Sequence, residues 1–147
     1  MRNDPAATLL VVEDSDEDYM TLQRIFRKLI VTHPMERCAN AQECLDYLKA
    51  AKEQGSLPAL MLLDLNMPGI DGFTLLRHLK SEAEFKHIPI VIVTTSSNPR
   101  DIQACYEEGA SSYLLKQLDY TMFEQSIRRF VDYWFDTVLL PLPVESP

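Results

Sequence analysis

Five polar side chains at widely separated positions, Glu13, Asp14, Asp64, Thr94 and Lys116, each lie at the end of a short apolar run. Together they supply three carboxylates, a hydroxyl and an ammonium. Asp64 is the most informative: it closes Ala59-Leu60-Met61-Leu62-Leu63 and is followed by Leu65-Asn66-Met67-Pro68-Gly69, which stops a strand abruptly. Taken alone, an acid at a strand end serves as readily to cap a turn as to do chemistry. Its company decides. Converging carboxylates repel and raise one another's pKa unless a cation is present. Hard oxygen ligands favour Mg²⁺, which keeps waters as exchangeable positions for substrate oxygens. With Lys116 and Thr94 opposite, the group forms a cradle for a phosphoryl group whose oxygens need charge compensation. A carboxylate can itself attack phosphorus and become an acyl phosphate. Asp64 is the candidate nucleophile, and Glu13 and Asp14, in a loop before a helix, are candidate metal ligands that leave in-line attack open.

For these residues to meet, the elements carrying them must run side by side. Thr8 to Val12 reads as a buried strand ended by the acidic run Glu13 to Asp18. Tyr19, Leu22, Ile25, Phe26 and Leu29 then recur at helical spacing, with Arg24, Arg27 and Lys28 turned outward. A weak strand at Met35 to Cys38 follows, and Asn40 with Glu43 resembles a capping box opening a helix from Ala41 to about Gln54, stopped by Gly55. The Asp64 strand, a turn with Pro68, Gly69 and Gly72, and a helix bearing Phe73, Leu75, Leu76 and Leu79 come next. Pro89 to Thr95 is a fourth strand, and Asn98-Pro99 opens a short helix through Glu108 that Gly109 ends. Ser112 to Leu115 is a fifth strand, and a last helix runs from about Tyr120 through Phe135. Strict β/α alternation predicts a parallel sheet covered by helices on both faces, with all carboxyl ends along one edge. Ligands bind in the crevice beyond that edge.

At 147 residues, 46% of them hydrophobic and 24% charged, the chain suits a single domain over 1–147, with a core over about 8–135 and an apolar, Pro-containing tail over 136–147. The formal charge of −8, with no basic patch, argues against nucleic acid and anionic membranes as partners. Cys38, Cys44 and Cys105 form no C-x-x-C pair, which fits inert thiols in a reduced, cytoplasmic setting. There is no targeting core, and no apolar run approaches the roughly 18 residues that span a bilayer. His33, His78 and His87 share no useful spacing and read as structural or surface residues.

Val12-Glu13-Asp14, Leu63 to Gly72 around Asp64, Val93-Thr94-Thr95, and Gly109 to Lys116 occur in an order and spacing that resemble the receiver domain of bacterial two-component response regulators. The resemblance covers nearly everything from Thr8 to Phe135. It implies a flavodoxin-like (CheY-like) α/β fold, a doubly wound five-stranded parallel sheet of order 2-1-3-4-5 with five helices. It further implies phosphoryl transfer from a histidine kinase to Asp64, with Mg²⁺ held by Asp14, Asp64 and the backbone carbonyl of Asn66, and Glu13 supporting through water. Thr94 and Lys116 would bind phosphoryl oxygens, and Tyr113, otherwise a core aromatic, would be the aromatic switch. One position departs: receivers commonly have a cis proline after the lysine, whereas here Gln117 follows. A non-proline cis bond costs about 3 kcal/mol, so the loop is either strained or trans.

Two rivals share the broad fold class. An aspartyl-nucleophile phosphatase or phosphotransferase carries D-x-D, and Asn66 at the second place cannot act as a general acid. A flavin module wants an uncharged phosphate loop where this chain has Glu13 to Asp18. The dozen residues after Phe135 are too few for an output domain, so signalling is expected to pass to a downstream protein or phosphotransfer domain. Met122, Phe123, Ile127, Phe130, Val131, Tyr133, Trp134 and Phe135 exceed one core stripe, and Val138 to Pro143 extends the apolar character. An excess stripe marks an interface unless the tail folds back over its own domain. The ending Tyr133 to Val138 is similar to single-domain regulators that partner cyanobacterial phytochrome histidine kinases. That similarity implies a homodimer through the fourth and fifth helical face and the tail.

Overall fold

Three strands with no exposed residue form the centre of the molecule: β1 (Leu9–Val12), β3 (Leu60–Leu63) and β4 (Ile90–Thr94). Strands buried on both faces read as unbroken apolar runs, as these do, because helices cover each side of a parallel sheet. The edges are β2 (Met35–Cys38) and β5 (Ser112–Leu115), both partly exposed. All neighbours pair in parallel in the order β2-β1-β3-β4-β5. The computed structural model describes residues 7–141, and among them no helix is long and apolar enough to cross a membrane.

Successive side chains of each strand point to opposite faces, and the core divides accordingly. Leu10, Val12, Met61, Leu63, Ile90 and Ile92 pack with residues of α2 (Ala41–Glu53), α3 (Gly72–Ser81) and α4 (Pro99–Glu107), among them Cys44, Leu48, Leu76, Leu79 and Cys105. Leu9, Val11, Leu60, Leu62, Val91 and Val93 pack with α1 (Asp16–Lys28) and α5 (Tyr120–Trp134) through Ile25, Phe26, Ile127 and Phe130. Each such fully buried aliphatic or aromatic side chain contributes roughly 2 kcal/mol of transfer free energy. Cys38, Cys44 and Cys105 are all buried and free.

The predicted elements agree with the observed ones to within a residue or two, and two local expectations change. In the cap of α2, Asn40 Oδ1 accepts from the Glu43 N–H as expected, but Glu43 Oε2 reaches past Asn40 to the N–H of Ala39. The tail is the larger difference. Phe135, just beyond α5, is buried, stacks on His33 with ring centroids 4.1 Å apart, and meets Phe130 edge-on. Leu140 is likewise buried in the core that faces α1 and α5. Part of the apolar surplus is therefore consumed inside the domain, while Met122, Tyr133 and Leu139 stay exposed. Leu142 and Pro143 lie outside the described residues. The described backbone has no cis peptide, so the Lys116–Gln117 bond is trans.

The order 2-1-3-4-5 reverses direction between β1 and β3. The crevice at their carboxyl ends is the topological switch point, the place where an open sheet of this kind binds ligands. Glu13, Asp14 and Asp64 follow those two strands.

Candidate functional site

Each acid reaches the crevice because its strand is held in register up to the last residue. The Glu13 N–H donates to the Cys38 carbonyl at 3.0 Å and the Asp64 N–H to that of Val12 at 3.0 Å, continuing the β1 ladders by one rung. Glu13 and Asp64 are only 4% and 2% exposed, so their charge must be met within the protein. Asp14 is exposed at the rim. One carboxylate oxygen of each of the three lies within 4.8 Å of the others.

Lys116, delivered by the end of β5, enters this group from the side. Its Nζ lies 2.5 Å from Glu13 Oε1, 3.0 Å from Asp64 Oδ2 and 2.8 Å from Asp18 Oδ2. The backbone of Lys116 is placed by its N–H, which donates to the Thr94 carbonyl at 2.7 Å. Asp64 Oδ1 accepts from the Asn66 N–H at 3.1 Å. Asn66 Nδ2 in turn donates to Thr94 Oγ1 at 3.0 Å, and the Ser96 N–H approaches the same oxygen at 3.4 Å. Tyr113 donates its hydroxyl to the Ser96 carbonyl at 2.8 Å. A continuous set of hydrogen bonds thus runs from Asp64 through Asn66, Thr94 and Ser96 to Tyr113.

The Glu13 carboxyl is raised to about 7, chiefly by burial, with Lys116 drawing it down by its hydrogen bond and Asp64 pushing it up. Burial also pulls on the Lys116 ammonium, downward. Its hydrogen bonds to Asp18 and Glu13 and the charges of Asp64 and Glu13 outweigh burial, so the net shift is upward and it stays protonated. One ammonium faces three carboxylates, so Lys116 only partly offsets the burial and the Asp64 contacts that make Glu13 hold its proton. The surplus of carboxylates, presented by hard oxygens in a crevice open at Asp14, fits a divalent cation of the Mg²⁺ type.

Every residue singled out from the sequence comes to this edge: Glu13, Asp14, Asp64, Asn66, Thr94 and Lys116 line it, and Tyr113 joins through Ser96. Three contributors were not anticipated. Asp18, read only as part of the acidic run that follows β1, is a partner of Lys116 at 2.8 Å, a pairing across the chain that no local spacing signals. Ser96 carries the link to Tyr113 with its backbone, which no side-chain pattern reveals. Gly72 opens α3 where a Cβ would stand 2.1 Å from the Asp64 carbonyl oxygen and 2.7 Å from Leu65 Cα. Only a glycine lets α3 start against the backbone that carries the acid.

Comparison with known proteins agrees with this geometry. Residues 9–128 match the response regulator receiver domain family. Response regulator Rcp1 of Synechocystis is 30% identical over 141 residues, spanning 95% of this chain and 96% of that protein. The structure of the Mn²⁺-bound form of Rcp1 superimposes with a TM-score of 0.83 at 31% identity, covering 92% of this chain and 99% of that one. The phosphorylated cyanobacterial phytochrome response regulator RcpA gives 0.85 at 30% identity, with 92% and 98% covered.

Proposed function

The chain belongs to the response regulator receiver family, and from that membership we propose that it is a phosphoacceptor signalling protein in which Asp64 receives a phosphoryl group from the phosphohistidine of a histidine kinase. The observation that carries this reading is the contact of Lys116 Nζ with Asp64 Oδ2, 3.0 Å, inside a cluster where Glu13, Asp14 and Asp64 converge. Glu13, Asp14 and Asp64, with the backbone carbonyl of Asn66, would hold Mg²⁺. The chemistry such an ion supplies is compensation of charge on the oxygens of the transferring group. The Mn²⁺-bound form of Rcp1 and the phosphorylated form of RcpA support the metal and the modification respectively.

An Asp64 carboxylate oxygen forms the new P–O bond while the P–N bond to the kinase imidazole breaks, its electron pair staying on the imidazole. Lys116, already charged and within reach, moves a hydrogen bond from Asp64 onto a phosphoryl oxygen. Thr94 accepts from Asn66 and so keeps its own O–H proton for another. Drawing Thr94 toward phosphate pulls on Ser96 and thereby on the Tyr113 hydroxyl, which carries the event to the α4–β5–α5 surface. Asn66, occupied with Thr94 and unable to act as a general acid, favours holding the phosphate over turning it over, which disfavours the phosphatase alternative. The similarity to the cyanobacterial phytochrome response regulator RcpA supports a phytochrome-class kinase as the partner. A downstream protein or phosphotransfer domain would read the altered surface, with a homodimer through the α4 and α5 face.

The test is transfer of labelled phosphate from an autophosphorylated kinase in the presence of MgCl₂. Wild type accumulates label and Asp64→Asn does not; equal labelling of the two would remove Asp64 as acceptor.

A further inference from the structure

The loop that carries Glu13 and Asp14 is held from outside the pocket by Arg37. This residue stands on the edge strand β2, opposite Val11 in the ladder, yet its side chain is only 21% exposed. Its Nε donates to the Glu13 carbonyl oxygen at 2.9 Å, and its Nη1 lies 2.6 Å from Asp16 Oδ1 in the first turn of α1. The guanidinium also sits 5.2 Å over the Tyr19 ring, one turn further along α1. These three contacts use the planar fork and the flat face of the guanidinium, which a lysine does not possess. Since the Cys38 carbonyl holds the Glu13 N–H, consecutive residues of β2 grip Glu13 by both its amide and its carbonyl.

We propose that Arg37 is a positioning residue for metal binding: by tying the Glu13 carbonyl to the start of α1 and to Tyr19, it sets the direction in which Glu13 and Asp14 present their carboxylates. The proposal rests on the Mg²⁺ reading given above. It has a distinctive sign. Arg37 is itself a cation near the acid cluster, so its charge alone opposes a second cation, and a purely electrostatic role predicts tighter Mg²⁺ binding once it is neutralised. Positioning predicts weaker binding, even when the charge is kept.

Calorimetric titration of the full chain with MgCl₂ alone, without kinase, separates these. Arg37→Gln and Arg37→Lys are both expected to bind Mg²⁺ about tenfold more weakly than wild type, the loss typical of groups that orient metal ligands. Arg37→Gln binding as tightly as wild type or tighter, or Arg37→Lys staying within about twofold, overturns the proposal. Should the Arg37 variants fail to fold, Tyr19→Leu removes the platform beneath the guanidinium without altering charge. It is expected to weaken binding about threefold, and an unchanged affinity counts against the role. A wild type that gives no binding heat removes the metal reading and this proposal with it, whereas wild-type binding with unaffected variants removes this proposal alone.

Discussion

At Glu13 a buried carboxyl shares a single ammonium with Asp18 and Asp64, and its burial, reinforced by Asp64, makes its charge state sensitive to pH near neutrality. Burial, the largest influence, raises the group from an ordinary 4.5 to about 7 in the folded protein. A folded-state value above the unfolded one means that the neutral form is favoured by folding. The metal-free protein therefore holds this contribution fully below about pH 4.5 and loses it as pH rises through about 7. A divalent cation needs the carboxylate, so apparent Mg²⁺ affinity should increase from pH 6 to pH 8 and binding at pH 6.5 should release protons. Titration in two buffers of different ionisation enthalpy measures that release. Identical heats in both buffers, after correction for dilution, would show that Glu13 is already ionised.

Three helices end in the same way, and comparing them isolates one strained position. In α1, α2 and α4 the residue after the cap donates back to the carbonyl three before it, and the next donates to the carbonyl five before it: Ile30 to Arg27 and Val31 to Phe26, Gly55 to Lys52 and Ser56 to Ala51, Gly109 to Tyr106 and Ala110 to Cys105. This is the Schellman arrangement, whose first residue past the cap is left-handed. Gly55 and Gly109 take φ of +69° and +100° without penalty, and both glycines announced their helix ends in the sequence. Ile30 takes φ +55° with a β-branched side chain that is 81% exposed, so it bears the steric cost and recovers little by burial. Ile30→Gly should therefore raise stability by about 1 kcal/mol, most of the left-handed penalty less the added chain entropy of glycine. The midpoint of urea unfolding, at unchanged slope, reports it. A lower midpoint would mean that Ile30 makes a contact worth more than its strain.

For the whole molecule, the sheet order concentrates the acids at one edge and leaves α4 and α5 as the surface proposed to respond to phosphorylation. Tyr106 on α4 and Met122 and Tyr133 on α5 are large side chains left substantially exposed there. The partial burial of the tail, through Phe135 and Leu140, leaves these residues together with Leu139 as the exposed apolar content of the interface in the proposed dimer. Light scattering at roughly tens of micromolar, a range suited to moderate affinities, should report twice the monomer mass, and Tyr133→Glu should return it toward one. A monomer mass for wild type at that concentration would discard the dimer.

The number, type and order of the elements were legible in the chain because a sheet buried on both faces demands unbroken apolar strands, and each helix shows its own period of burial. The acids and the lysine were legible because they break those apolar runs at the ends of strands. Tertiary structure alone decided what depends on chains meeting from distant positions: that Asp18 turns back to Lys116, that Arg37 crosses from an edge strand to hold the Glu13 carbonyl, that Gly72 makes room for the Asp64 backbone, and that Phe135 and Leu140 fold inward. A side chain's type and period report which face of an element it occupies. Its partner is set by packing distance, and distances between elements exist only once the sheet and its helices have assembled.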